Sequence, residues 1–457
     1  MRLGGFATMK LRWGVRASSA STGNDVASWL AELSDEGGAM GTKRLWVGVD
    51  SGAESHQVAA VDGSGAPVGE RSFAHSGAGL SELCAWLIEV SGCAPSEIAV
   101  AIEVPHGAVV DTLLERGFDV FSINPKQLDR FRDRFSMSGA KDDRRDARVL
   151  GDSLRTDPRS YRQLKVDEPT VIELREWSRA AEQLQMQRTR LTNQVRDQLR
   201  RYYPQALGIG DDPGADWFLE LWKAAPTPQR AARIRRSTVA AILGRNRIRR
   251  IDAQQVVEVL RQPPLYVAPG TVEAATAHIG LLAAQLRLIN HQIEECHRRL
   301  DALCARLSEA SGQPADGDQR REQRDAEILQ SLPGVGRIVR ATLLAEASQP
   351  LGARDYRALR SLCGTAPVTR QSGKSRCVVM RRGCHRRLRV AVYHWARVAI
   401  QHDERSRLAY AALRNRGHSH PRALRGVADR LLQVACAMLR QQTLYDPERR
   451  AGSALPP

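Results

Sequence analysis

The spacing of apolar and polar positions divides the chain into three stretches. Arg44–Asp50 (RLWVGVD) is a short apolar run of β-forming residues, and Ser55–Asp62 (SHQVAAVD) follows after a glycine-containing turn. Gly63-Ser64-Gly65 is a tight hairpin signal, which makes Pro67–Phe73 a third strand. Leu80–Val90 has helical spacing. Ile98–Glu103 (IAVAIE) is apolar at almost every position, as a strand covered on both faces must be. Val109–Arg116 reads as helix, Asp119–Ile123 as strand, and Asp143–Arg155 as a helix closed by Pro158. Three hairpin-linked strands followed by alternating helix and strand is the order of an α/β RNase H-like fold, an order that other α/β domains share.

The middle of the chain is helical. Leu174, Trp177, Ala181, Leu184, Leu191, Val195 and Tyr202 keep steps of three and four, with Arg188 and Gln198 as breaks. Val272, Ala275, Ile279, Leu282, Leu286, Ile289, Ile293, Cys296, Leu300, Leu303 and Leu307 keep them without a miss. This is a heptad seam, read as a coiled-coil arm paired within or between chains; an ordinary core-facing stripe is the plainer alternative. Residues 204–270 between them are rich in Pro, Gly and Arg, and Arg230–Arg250 holds eight arginines and no acid. By charge alone that run is equally a nucleic-acid contact or a solvated face.

A last, mainly α region starts near Ile328. Leu332-Pro333-Gly334-Val335-Gly336 before a helical Arg340–Ala347 reads as the hairpin of a helix-hairpin-helix element, whose backbone N–H groups approach phosphate. Arg370–Arg389 has eight Lys or Arg and no acid; Lys374, Arg376, Arg381, Arg382, Arg386 and Arg387 are its candidate nucleic-acid contacts. The expected layout is a disordered leader over 1–43, an α/β domain over 44–158, a helical region over 159–325 with its insert at 204–270, a C-terminal domain over 326–446, and a tail over 447–457.

Composition adds a partner class. The chain of 457 residues carries a net charge of +17, with seven Lys and 61 Arg. Spread over the chain, that charge points to a polyanion, nucleic acid before membrane. No continuous apolar run reaches the ~18–20 residues of a membrane span, and the first 42 residues lack the apolar centre of a secretory signal; Met9 and Met40 are alternative starts. A cytoplasmic, nucleoid-associated location is expected. The eight cysteines form no CxxC pair and read as buried free thiols.

Asp50 and Glu103 end two apolar strands, where an uncompensated carboxylate is costly. Asp143 and Asp146, three apart at the start of a helix, share a face. Together the four read as a catalytic, metal-binding acidic site. Two Mg2+ or Mn2+ ions ~4 Å apart would relieve their repulsion and stabilise the attacking and leaving oxygens of a phosphoryl transfer. Singly, each has a plainer reading: Asp50 as a strand-end turn residue, Asp143 and Asp146 as acids favoured by a helix N-terminus. Asp142 is the spare candidate. Ser372 in Gln371-Ser372-Gly373-Lys374 is an accessible hydroxyl among cations, although serine beside glycine is ordinarily a turn residue; Ser375 shares its setting.

These residues carry a resemblance. GVDSGAESHQVAAVD, AIEVPHG, INPKQLDRFR and GAKDDRRDARVLGDSLRTD in the N-terminal part resemble the insertion-sequence-110 family of DEDD transposases. So do SLPGVG, YRALRSLCGTAPVTRQSGKS and RRGCHRRLRVAVYHWA in the C-terminal part. The resemblance covers about 44–157 and 326–400. It implies a RuvC-like N-terminal domain with Asp50, Glu103, Asp143 and Asp146 as its acidic quartet, and a C-terminal domain with Ser372 as nucleophile. It further implies strand exchange through a phosphoserine link, donor and target DNA, a bridge RNA, and a homo-oligomer (dimer or tetramer). The leader, the long Arg-rich 204–270, Asp142 and His106 depart from the familiar pattern. Two other functions compete: a RuvC-like nuclease or junction resolvase that uses water, and a domesticated, non-catalytic nucleic-acid-binding protein.

Overall fold

A computed structural model describes residues 43–135, 142–309, 319–373 and 375–447. Nearly all of the expected leader and tail, and Lys374, lie outside the described residues. The chain divides into two compact units, residues 1–166 and 167–457.

In the first unit the alternating pattern builds β1 (Leu45–Ser51), β2 (Ser55–Asp62) and β3 (Pro67–Ala74) as an antiparallel meander. α1 (Gly77–Ser91) leads to β4 (Ile98–Ile102), which pairs parallel with β1. α2 (Ala108–Glu115), β5 (Asp119–Ser122), α3 (Pro125–Phe135), α4 (Asp143–Thr156) and β6 (Arg162–Gln163) complete the order β3-β2-β1-β4-β5-β6. That order is consistent with an RNase H-like domain. Period-two alternation divides the strands between two cores. Leu45, Val47 and Val49 join Leu80, Leu83 and Leu87 of α1, whereas Trp46, Ala99 and Ala101 join Val149, Leu150 and Leu154 of α4. β4 has no exposed face, hence its unbroken apolar run. Helix α3 escapes a pattern reading because few apolar residues, Leu128 and Phe131 among them, anchor an otherwise charged segment.

Two glycines fix how α4 lies on β1. A Cβ on Gly48 would stand 1.9 Å from the Ala147 carbonyl oxygen and 2.6 Å from the Gly151 nitrogen. A Cβ on Gly151 would stand 3.0 Å from the Gly48 nitrogen. Helix and strand therefore cross with backbone nearly touching backbone, one turn from Asp146 and two residues from Asp50.

The second unit opens with α5 (Pro169–Tyr202). Residues 204–270 then fold as a small helical module of α6 (Asp216–Ala224), α7 (Pro228–Ala231), α8 (Arg236–Arg245) and α9 (Ala253–Leu260). Trp217, Phe218, Val239, Ile242, Val256 and Leu260 bury into its core, and Thr227 and Asp252 cap α7 and α9. The long α10 (Thr271–Glu309) returns antiparallel along α5. Leu174 and Ala181 share a core with Cys296, Leu300 and Leu303, while Val195 and Leu199 share one with Ala275, Ile279 and Leu282. The heptad stripe is thus buried within its own chain. Arg188, a break in the α5 pattern, is satisfied by Asn290 at 2.7 Å and Asp212 at 2.6 Å. Residues Thr271–Leu307 are also long and apolar enough, by composition, to cross a membrane; their stripe against α5 supplies part of that character, and Leu281 and Leu288 are exposed.

α11 (Gln319–Ser331), α12 (Arg337–Glu346), α13 (Ser348–Gly352) and α14 (Tyr356–Leu362) follow. A hairpin of β7 (Pro367–Ser372) and β8 (Ser375–Met380) then precedes α15 (Arg386–His402), α16 (Glu404–Asn415) and α17 (His420–Gln441). Fully buried Trp395 of α15 donates its indole N–H to the Pro333 carbonyl at 2.9 Å. Gly334 (φ +81°) lies where a Cβ would meet the Ala399 nitrogen at 2.8 Å. The LPGVG turn is therefore pinned to α15. None of the eight cysteines forms a disulfide; six are buried, with Cys377 exposed and Cys384 half-buried.

Candidate active site

The register of β1 against β4 builds the acidic site. Val49 pairs with Ile102, the last residue of β4, so Asp50 in β1 and Glu103 just past the end of β4 follow that pair at the carboxyl edge of the sheet. Asp142 caps α4, accepting from the Arg144 backbone N–H at 3.3 Å, which sets Asp143 and Asp146 in its first turn. The spare candidate thus has a structural task. The Gly48–Gly151 crossing brings that turn down over Asp50. Burial first, then the carboxylates of Asp146, Asp143 and Glu103, push the Asp50 carboxyl up to about 6, with Arg132 offsetting part of the rise. The structure therefore brings all four predicted acids into one electrostatic neighbourhood.

Sequence reasoning missed a fifth member. Arg132 of α3 donates from Nε to Asp146 Oδ1 at 2.6 Å and from Nη2 to Oδ2 at 2.8 Å, while Nη1 holds Asp129 at 2.6 Å. Glu103 lies 3.9 Å from Nη2. Asp146 is 2% exposed, so both of its oxygens leave water for one guanidinium. The only sequence signal was INPKQLDRFR, with Asp129 and Arg132 three apart on one helical face.

Four carboxylates with surplus negative charge fit a hard divalent cation in kind. Their present arrangement is not a finished cage: among the described residues, no three His, Cys, Asp or Glu side chains are placed to hold one ion. Both oxygens of Asp146 are held by Arg132 in this arrangement.

Ser372 is exposed and ends β7 opposite Ser375, beside Gly373 (φ +54°). Among the described residues of its unit nothing hydrogen-bonds its hydroxyl. The base of the hairpin is fixed through Asp429, which accepts from Arg360 Nη2 at 2.6 Å and from the Thr365 hydroxyl at 2.8 Å. Arg376, Arg382 and Arg386 are exposed and Arg381 is half-buried. Arg387 is a correction to the predicted nucleic-acid contacts. The phase of α15 turns it inward, 2.8 Å from the Glu182 carboxylate, a contact of charge rather than a well-aimed hydrogen bond, and 3.3 Å from Glu346. The Glu346 side chain is 4% exposed; burial would raise its pKa, but Arg179, His385 and Arg387 hold it below the ordinary glutamate value.

Comparison with known proteins matches residues 47–204 to a DEDD family of IS110 described as "Transposase", and residues 326–411 to "Transposase IS116/IS110/IS902 family". The chain is 51% identical over 277 residues to the transposase-designated y4uE protein of Sinorhizobium fredii, covering 59% of this chain and 75% of that one. It is 32% identical over 416 residues to the mini-circle protein designated a transposase for IS117 of Streptomyces coelicolor, covering 89% of this chain and 96% of that one. The insertion element IS116 44.8 kDa protein of Streptomyces clavuligerus is 28% identical over 88% of this chain and 96% of its own length. These likenesses define the class as a transposase, an enzyme of DNA cleavage and strand transfer. Within that class, the chain belongs to the IS110 family. Membership of a DEDD family suggests divalent-metal use in general.

Proposed function

We propose that Asp50, Glu103, Asp143 and Asp146 are the catalytic and metal-binding acids of this transposase, and that Ser372 is its nucleophile. The observation that carries the reading is that Asp50 and Glu103 directly follow the Val49–Ile102 pair of β1 and β4, and that Asp146, Asp143 and Glu103 all act on the Asp50 carboxyl. Bound there, Mg2+ or Mn2+, two ions by this reading, would neutralise and polarise the phosphate. The chain's own part is to hold the acids on the sheet and to carry Ser372 on an exposed hairpin tip. The Ser372 Oγ bonds to phosphorus as a phosphorus–deoxyribose oxygen bond breaks, and the departing oxygen receives the proton that serine gives up. The phosphodiester energy is kept in the phosphoserine link, so the reverse step can join a new strand. Donor and target DNA are the substrates. A bridge RNA guides pairing, and a dimer or tetramer, cytoplasmic and nucleoid-associated, is the working form. In this reading the α5–α10 pair is a coiled-coil arm, and the LPGVG turn a helix-hairpin-helix phosphate contact alongside Lys374, Arg376, Arg381, Arg382 and Arg386.

The test is trapping of a covalent protein–DNA adduct under denaturing conditions. It is expected from the wild type and absent from Ser372→Ala, with DNA binding unchanged. An adduct that persists in Ser372→Ala refutes the serine assignment. One observation favours a second reading, a metal-dependent nuclease that uses water: Ser372 has no general base beside it among the described residues of its unit. Full strand cleavage by Ser372→Ala without any adduct would establish that reading instead.

A further inference from the structure

The arginine run that charge alone left undecided lies on the folded insert. From Leu221 to Ile251 there is no acidic residue, and all eight arginines of Arg230–Arg250 are exposed. Among the described residues only one of them, Arg245, makes an ion pair, to Glu220. A solvated basic face ordinarily alternates its charges with acids three or four residues away; this one does not. The backbone that carries the arginines is anchored in a core. Ala231, Ile234, Val239, Ile242 and Leu243 beneath them are buried in the core of the module.

Their distribution has a shape. Arg230, Arg233, Arg235 and Arg236 lead into α8, and Arg245, Arg247, Arg249 and Arg250 follow from its end. Arg236 and Arg245 are nine residues apart, hence ~14 Å along the helix axis. Between them the exposed positions include Ser237, Thr238, Ala240, Ala241 and Gly244, so no side chain longer than threonine's stands out there. Two cationic ends flank a low middle.

We propose that α8 and the arginines at its two ends are a docking surface for double-stranded B-form DNA, with one cluster on each phosphate backbone bordering the major groove. The groove is ≈12 Å wide and admits a helix, which matches the separation of the clusters; the deep, narrow major groove of an RNA duplex does not admit one. The contacts are to phosphate, so the surface adds affinity and register rather than sequence reading. This inference rests on the reading of the chain as a DNA-acting enzyme.

The test uses the full chain in EDTA, so that binding is read without strand chemistry. Two triple variants are compared with wild type, Arg233→Gln/Arg235→Gln/Arg236→Gln and Arg247→Gln/Arg249→Gln/Arg250→Gln, with Arg190→Gln as a charge control on α5. Fluorescence anisotropy of unrelated DNA duplexes is followed against salt. Each triple is expected to lower the slope of log affinity on log salt by about 2–3, and the control by about 1 or less. Melting temperatures are expected to stay unchanged, because the altered side chains are exposed. An unchanged slope overturns the proposal, and so does a larger loss on an RNA duplex than on DNA. A protein that binds with the full slope yet forms no adduct would sink the serine chemistry and leave this surface standing; the converse result would do the opposite.

Discussion

Arg132 grips both oxygens of Asp146, at 2.6 and 2.8 Å, from a helix that precedes it in the chain. The guanidinium occupies the electrostatic place of a cation, and Asp146 cannot serve a metal fully while it is so held. Arg132→Ala is expected to lower the melting temperature in EDTA, because it leaves a buried carboxylate unpaired, a loss of about 3 kcal/mol. Added Mn2+ should then raise the melting temperature by more than it does in the wild type. A metal-induced rise no larger than that of the wild type would show that Arg132 does not compete with the ion.

Asp50 carries the opposite kind of stress. Its carboxyl is pushed up to about 6 by burial and by three neighbouring acids. Asp50→Asn removes the repelled charge, so in EDTA it is expected to stabilise the protein by about 1–2 kcal/mol, discounted for partial exposure. The same variant should lose strand cleavage. Chemical denaturation and a cleavage assay on one preparation check both; destabilisation in EDTA would contradict the electrostatic account.

Gly48→Ala is a backbone test. The new methyl would collide with the Ala147 carbonyl and the Gly151 nitrogen, neither of which is a flexible side-chain end. A cost of about 3 kcal/mol is expected, with cleavage lost even where the protein stays folded, because α4 must lift Asp143 and Asp146 from Asp50. Near-normal stability and activity would mean that the crossing tolerates a wider gap.

His56 is 1% exposed, with Nε2 2.8 Å from His75 Nδ1, and burial first and His75 second hold its pKa below the ordinary histidine value. The unfolded chain therefore takes up a proton before the folded one does. This contribution to stability is complete above about pH 6.5 and is lost as pH falls below it, down to the folded pKa. Urea midpoints at about pH 8 and about pH 5.5 should differ in that direction, and His56→Phe should flatten the difference. An unaltered pH slope in that variant would assign the effect to other groups.

The strands and the heptad helices were legible because burial on one face leaves a period in the sequence, and β4 because burial on both faces abolishes it. The grouping of the acids was legible because Asp50 and Glu103 close apolar runs while Asp143 and Asp146 share one face at a helix start. Arg132 was not, since its pairing with Asp146 depends on how α3 is laid against α4, which no local pattern encodes. The helices of the insert were not assigned from the sequence because Pro and Gly punctuate short helices as well as coils; Trp217, Phe218 and Trp222 were the better signal of a core. Arg387 misled for a related reason. In a run of arginines, charge is shared by all, but the phase of α15 sends this one toward Glu346.

The antiparallel pair α5 and α10 has a geometric consequence. Leu174 belongs to the core shared with the C-terminal helices and Val195 to the core of the insert. Those two anchors are 21 residues apart on one helix, ~32 Å at 1.5 Å per residue. The arm is thus a ruler, and its length fixes the span of any footprint that the insert and the C-terminal helices share. Lengthening both helices by one heptad would keep their seam in phase and advance the insert by ~10 Å, about three base-pair steps along a duplex.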